Sequence, residues 1–390
     1  MKYVDKLSLL KDVQSSVKKK RFVLDENLEN FGFEKLSLLH KVKEDEIKGY
    51  PFCGSSSKSK ILQGEHVGVK VIPLEIGYGK REHPSFLEGR TLKKLSSELV
   101  KESKTPHIAF YYGCIKVPLS AKALEGNPLH NLESIKPYCI VLLSEFVKGS
   151  SLNNYIRNRF QKKQDDLDLY TWKSIIFSVI FTLNVIQKRY KLMHNDLHYG
   201  NILVDECEPE DFVYKNGSET FYLKQTAMVK IWDWEFATAY NKNTGLYPNK
   251  FVIDNDAIFD KKTGNMTTEI DTGVPLNYHQ VYDLHYFLTS LLDLFIPDQV
   301  HSWILGIYPE ELVPDDTVGT TGTTGATDGD TTVRVTETHF LKDGRIRETV
   351  IQDFDLPTPE DLLKDPFFDI FRKEPSNFSK APVCFKGDDS

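Results

Sequence analysis

Long apolar runs, paired cysteines and a surplus of basic charge are all missing from this 390-residue chain. Its five cysteines (Cys53, Cys114, Cys139, Cys207, Cys384) are scattered, odd in number and form no C-x-x-C pair. That argues against a disulfide scaffold or a zinc site and favours a reducing compartment. The formal net charge of −7 argues against a duplex-DNA binder, so no nucleic-acid partner is expected. The opening "MKYVDKLSLLKDV" lacks the apolar core of a secretory signal. The most apolar stretch, Ser174 to Ile186, is too short to cross a bilayer and carries Ser, Thr and Asn. A soluble, intracellular protein with no membrane span is therefore expected. No internal repeat is visible.

What is present is core-forming material. Apolar residues make up 40% and aromatics 12%, enough for two lobes or domains. Residues 1–34 read as a polar helical extension, and "KKKR" (Lys18 to Arg21) as a solvated basic face. "HVGVKVIPL" (His66 to Leu74) alternates like a strand. His83 to Ser103 reads as a helix, with Pro84 at its start and Leu87, Leu92, Leu95 and Leu99 at helical spacing. "HIAFYYGCIKV" and "YCIVLLSEFV" read as buried strands. After "KGSSL" the pattern turns helical, with Thr171 to Tyr190 and His279 to Phe295 as buried helices. Between them, Ala227 to Ala237 reads as a strand with an acidic end. Val117 to Lys136 is a polar loop. Asp315 to Thr332 has too little apolar surface to fold and is expected to be a disordered insert, and Asp343-Gly344 signals a hairpin.

The chemistry gathers in "HNDLHYGN". Asp196 and Asn201 lie five apart on a stretch that Gly200 and its polar neighbours make a loop. Such a loop aims a carboxylate, able to accept a hydroxyl proton, and an amide oxygen, able to ligate a divalent ion, at one spot. It matches H-x-D-L-x-x-x-N, the catalytic loop of protein kinases. Downstream, Asp233 in "IWDWE" stands where D-F-G would put the main Mg2+ ligand. Upstream, "VGVKVI" resembles V-A-I-K, with Lys70 on the strand. A partner carboxylate belongs on the next helix. Glu88 has Leu92 and Leu95 on its face and is preferred. Its rival Glu98 has Glu102 and Thr105 and faces water.

Taken in order, Lys70, Glu88, "LSEFVKGSSL", "HNDLHYGN", "DWE", Asp283 and "PTPEDLLKDPFFDIF" resemble the eukaryotic-type protein kinase fold. The finer pattern looks most like the divergent serine/threonine kinases of large DNA viruses, such as iridoviruses and mimivirus. The resemblance covers about Lys35 to Phe371. It implies an α+β, bilobal architecture: an extension (1–34), an N-terminal antiparallel-sheet lobe (35–145), a helical C-terminal lobe (146–371) and a tail (372–390). It implies ATP and Mg2+ as cofactors and Ser/Thr acceptors on proteins as partners. Lys70 with Glu88 would set the phosphates, Asp196 would take the hydroxyl proton, and Asn201 and Asp233 would hold Mg2+. Backbone groups of Glu145 and Val147 would meet adenine, with Ser144 a small gatekeeper. A monomer is expected, in host cytoplasm and in part packaged in the virion.

Several positions depart from that pattern. The glycine loop is degraded to "GYPFCG", with Gly49 and Gly54 as its remnants and Pro51 removing an N–H. His198 replaces a Lys, as in Haspin-type protein kinases and in aminoglycoside and choline kinases, and is either a catalytic donor or a residue holding the loop. Asn195 replaces the Arg that grips an activation-loop phosphate, which implies activity without that phosphate. Trp234 and Glu235 replace Phe and Gly, and Pro275 is the nearest remnant of A-P-E. A protein kinase is the leading expectation. A small-molecule kinase and a binding-only pseudokinase are the alternatives.

Overall fold

The computed structural model describes residues 2–19, 52–56, 59–63, 67–75, 84–118, 135–161, 167–240, 244, 246, 258–259, 266–267, 278–309 and 354–387. Gly49, Pro275, the insert at 315–332 and the Asp343-Gly344 turn lie outside the described residues. Helices and sheets are mixed along the chain.

Five strands form an antiparallel sheet, the Val-rich, alternating Val67–Glu75 among them. Its strands are β1 (Phe52–Ser56), β2 (Ser59–Gln63), β3 (Val67–Glu75), β4 (Tyr111–Pro118) and β5 (Ile135–Glu145), in the order β1-β2-β3-β5-β4. The register sets Lys70 of β3 between Ile61 and Leu142. Helix α2 (Pro84–Leu95) starts at Pro84 and runs into a π-helical turn (Ser96–Val100). Leu87, Leu92, Leu95 and Leu99 form its buried stripe. Gly89 is required by close approach, since a Cβ there would lie 2.7 Å from Cys114 Sγ.

β6 (Ser150–Ser151) leads into α3 (Leu152–Gln161), and α4 (Leu169–Tyr190) is the central core helix. Asp168 caps α4, its side chain accepting the Thr171 N–H at 2.6 Å. At 22 residues α4 is longer than the apolar run read from the sequence, and by length and composition it could span a membrane. Its most apolar window is 78% buried inside the protein, and that is the environment of a core helix. Phe177 meets Phe221, Tyr214, Phe371 and Phe368 at centroid distances of 4.9 to 5.6 Å.

After β7 (Leu192–Met193), β8 (Ile202–Asn216) and β9 (Glu219–Ile231) form a long hairpin. Gly217, with φ +59°, opens its two-residue loop, as a type II′ turn requires. The sequence pattern marks only the end of this hairpin. Pro209 sits in a register shift between Glu206 and Glu210, which breaks the alternation. The remaining elements are β10 (Thr238–Ala239), β11 (Ile258–Phe259), β12 (Met266–Thr267), α5 (Tyr282–Leu291), α6 (Asp298–Leu305), α7 (Pro359–Leu363) and β13 (Val383–Lys386). β10 pairs with β7, and a Thr358/Asp361 capping box starts α7.

The described parts of both flanks, 2–19 and 372–387, pack onto the fold. In α1 (Tyr3–Lys19), Tyr3, Leu10 and Gln14 are buried. The Tyr3 ring meets Phe212 and Phe385 edge-on. β13 adds to β8 in parallel, with Phe385 buried.

His107 joins the sheet region to the hairpin. One ring nitrogen, Nδ1, lies 2.9 Å from Val229 O, and Nε2 lies 2.8 Å from Tyr214 OH. A carbonyl only accepts, so Nδ1 carries the proton and the ring is neutral. Burial pushes its pKa down to about 3. The unfolded chain therefore binds the proton first, and the stability from neutral His107 is lost as pH falls from about 6.5 towards 3. At pH 5 the expected loss is about 2 kcal/mol. Urea midpoints at pH 7 and pH 5 check this: His107→Gln should shrink the difference, and an unchanged difference contradicts it.

Candidate active site

The loop from His194 to Asn201 is held by a buried carboxylate beneath it. Asp283, in the first turn of α5, accepts the N–H of His194 at 2.6 Å and of Asn195 at 2.8 Å. Asn195 takes φ +66°, a left-handed conformation that Asn tolerates better than most residues. His194 Nδ1 accepts the Asp196 N–H, so its Nε2–H donates to Trp232 O at 2.8 Å. Asn195 Nδ2 donates to Phe236 O at 2.8 Å. These bonds tie the loop to the segment around Asp233.

Asp196 and Asn201 come together as their spacing suggests. Asn201 Nδ2 donates to Asp196 Oδ2 at 2.9 Å and to Asp196 O at 2.8 Å. Both amide hydrogens are then used, which leaves Asn201 Oδ1 as the amide's acceptor. Tyr286 OH lies 3.5 Å from Asp196 Oδ1. His198 Nδ1 accepts the Gly200 N–H at 3.0 Å, so this ring nitrogen holds the loop. Its Nε2 lies 3.8 Å from Asp196 Oδ1, which gives His198 a face towards the carboxylate as well.

Lys70 is the other centre. Its ammonium lies 3.1 and 3.0 Å from the Glu88 oxygens, 2.5 Å from Asp233 Oδ1 and 3.9 Å from Glu235 Oε2. Lys70 and Glu88 are buried. Glu98 faces elsewhere: it bonds Tyr190 OH and pairs with Lys94 and Arg189. Asp233 does not continue β9; it follows the strand's end with φ +63° and starts the 3-10 turn Trp234–Phe236. That turn lies against α2, and Trp234 stands 4.7 Å from the His194 ring.

The charges here are unequal to one another. Burial would raise Asp233, but the adjacent Lys70 ammonium outweighs it and holds the carboxyl below its ordinary value. Burial, with the Asp233 and Glu235 carboxylates, raises Glu88 against the pull of Lys70. Candidate donor atoms of Glu88, Asp233 and Glu235 lie within 4.8 Å of one another. An ionised Asp233 and the acceptor oxygen of Asn201 are hard oxygen donors that suit Mg2+. The Glu235 contact has no signal in the sequence pattern, because Gly is usual at that position.

Gly54 lies in β1 opposite Ile61, so this remnant of "GYPFCG" is paired strand. On β5, the Glu145 N–H donates to Phe110 O at 2.7 Å. Val147 is buried, and Gly149 is required because a Cβ there would fall 1.6 Å from Val204 O. The Glu145 side chain faces Lys230 and Lys6, a contact the sequence pattern does not signal.

Comparison with known proteins points the same way as the motifs. Over 269 residues the chain is 28% identical to a candidate serine/threonine-protein kinase of Acanthamoeba polyphaga mimivirus, covering 60% of this chain and 53% of the viral protein. Over 74 residues it is 35% identical to a candidate serine/threonine-protein kinase of Dictyostelium discoideum, covering 18% of this chain and 6% of that protein. The chain thus spans about half the length of the viral relative it matches. No family profile matches. The chain is similar to divergent protein kinases, one from a large DNA virus among them.

Asp283→Ala should leave two buried N–H groups without an acceptor and cost roughly 3 kcal/mol. Asp283→Asn, which keeps one acceptor oxygen, should cost less. Denaturant unfolding of both variants checks the order; equal stability of Asp283→Ala and the parent contradicts it.

Proposed function

We propose that this chain is an ATP- and Mg2+-dependent protein kinase that phosphorylates Ser/Thr hydroxyls. The observation carrying this reading is the convergence of Lys70, Glu88 and Asp233, from three separated segments, within 3.1 Å of one ammonium. The architecture proposed with it is two-lobed, with the five-stranded sheet and α2 in one lobe and the α4-centred helices in the other.

Asp233 and Asn201 Oδ1 would hold Mg2+, which when bound supplies positive charge to the phosphate oxygens. Lys70, kept charged by its carboxylates, neutralises phosphate charge at the mouth of the sheet. Glu88 holds Lys70 in place. Asp196, with Oδ2 fixed by Asn201, presents Oδ1 to the acceptor hydroxyl and takes its proton. Nothing covalent is asked of the protein; positioning and charge do the work. Glu145 O and the Val147 backbone would meet adenine.

Asn195 supports activity without an activating phosphate. Its amide bonds Phe236 O directly, so the catalytic loop and the Asp233 segment are joined by an internal hydrogen bond where the pattern has an Arg awaiting a phosphate. The small-molecule kinase reading is supported by one observation, the Nε2 face of His198 towards Asp196. Infected-cell cytoplasm and the virion are the setting proposed with this reading, on the resemblance of its motifs to those of viral kinases.

Unphosphorylated protein from a bacterial host should transfer radiolabelled phosphate from ATP to protein acceptors, and Asp196→Ala should lose at least 100-fold in rate while melting as the parent does. Transfer to choline or aminoglycosides but not to proteins selects the second reading, and full activity of Asp196→Ala contradicts the catalytic assignment.

A further inference from the structure

We infer that Lys6 of α1 is a positioning residue for the adenine-facing end of β5, acting through the buried side chain of Glu145. The inference rests on the kinase reading, which places adenine at the Glu145 carbonyl.

Glu145 is the last residue of β5, and its carboxylate is enclosed by groups from four parts of the chain. Oε2 accepts the Phe110 N–H at 3.1 Å and lies 3.0 Å from Lys230 Nζ. Oε1 faces Lys6 Nζ at 3.0 Å. Lys230, on β9, is itself buried and donates to Ile108 O at 3.3 Å. One carboxylate therefore joins α1, the 108–110 segment, the end of β5 and the strand that leads to Asp233. Burial would raise the Glu145 carboxyl, but Lys230 and Lys6 pull it down to about 2, so it stays ionised.

Helix α1 is anchored so that Lys6 stays over Glu145. At one end the Tyr3 N–H donates to Glu210 Oε2 at 2.7 Å and the Tyr3 ring is wedged against Phe212 and Phe385. Further along, Gln14 Nε2 donates to Tyr111 O at 2.5 Å, and Lys101 Nζ donates to Gln14 Oε1 at 2.6 Å. Without the Lys6 ammonium, Oε1 loses its cation while Oε2 keeps Lys230, and the unbalanced carboxylate rotates. Because this is the side chain of the residue whose carbonyl serves the base, that rotation disturbs the base contact. The phosphate side, built on Lys70, Glu88 and Asp233, does not share these bonds.

The signature is therefore selective. Calorimetric titration of adenosine and of a Mg2+-bound non-hydrolysable ATP analogue into the full chain reads it. Lys6→Met should weaken both ligands by the same factor, about fivefold. Lys6→Arg should restore both, since it keeps the charge. The exposed Lys11→Met should bind as the parent does. Equal affinity of Lys6→Met and parent, failure of Lys6→Arg to restore, or a loss confined to the ATP analogue overturns the inference while leaving the kinase reading intact. A Lys6→Met chain that does not fold also overturns it, because α1 then serves stability and not the base. If the parent binds neither ligand, the kinase reading falls and this inference with it.

Discussion

One buried ammonium organises the site. Lys70 leaves water in the middle of an apolar strand, and that burial is tolerable only because carboxylates from α2 and from the turn after β9 meet it. The three groups depend on one another. Glu88 fixes where the ammonium sits, Asp233 is kept ionised by it, and the left-handed backbone at Asp233 turns the carboxylate back towards β3 instead of continuing the strand. Glu235 adds a third carboxyl group, 3.9 Å from the ammonium.

The loop from His194 to Asn201 solves a different problem. Its backbone turns through a left-handed residue, and the N–H groups there would be orphans without Asp283. The same loop uses Asn195 to bond the Phe236 carbonyl, which links it directly to the turn after Asp233. The loop, the Asp233 turn and α5 then form one hydrogen-bonded unit on the core helix α4.

Much of this was legible in the sequence because it is local. Period-two alternation gave β3, an apolar run gave β5, leucine spacing gave α2 and its buried Glu88 face, and the five-residue spacing of Asp196 and Asn201 gave their contact. What escaped is non-local or breaks alternation. The β8–β9 hairpin is interrupted by a register shift at Pro209. The strand pairing that places Gly54 within β1 cannot be read from glycine spacing. The burial of Tyr3, Leu10 and Phe385 depends on partners far along the chain, so α1 and β13 looked like polar flanks. Glu145 was singled out for its backbone, but its side chain meets cations from β9 and α1 that no spacing connects.

The central claim is that Lys70, Glu88 and Asp233 form a nucleotide-phosphate site. Calorimetric titration of Mg2+-bound ATP analogue into the parent chain and into folded Lys70→Met tests it most directly. The account predicts saturable binding to the parent and at least a tenfold weaker interaction with Lys70→Met. Equal affinity for the two chains, or no binding by the parent, would contradict it.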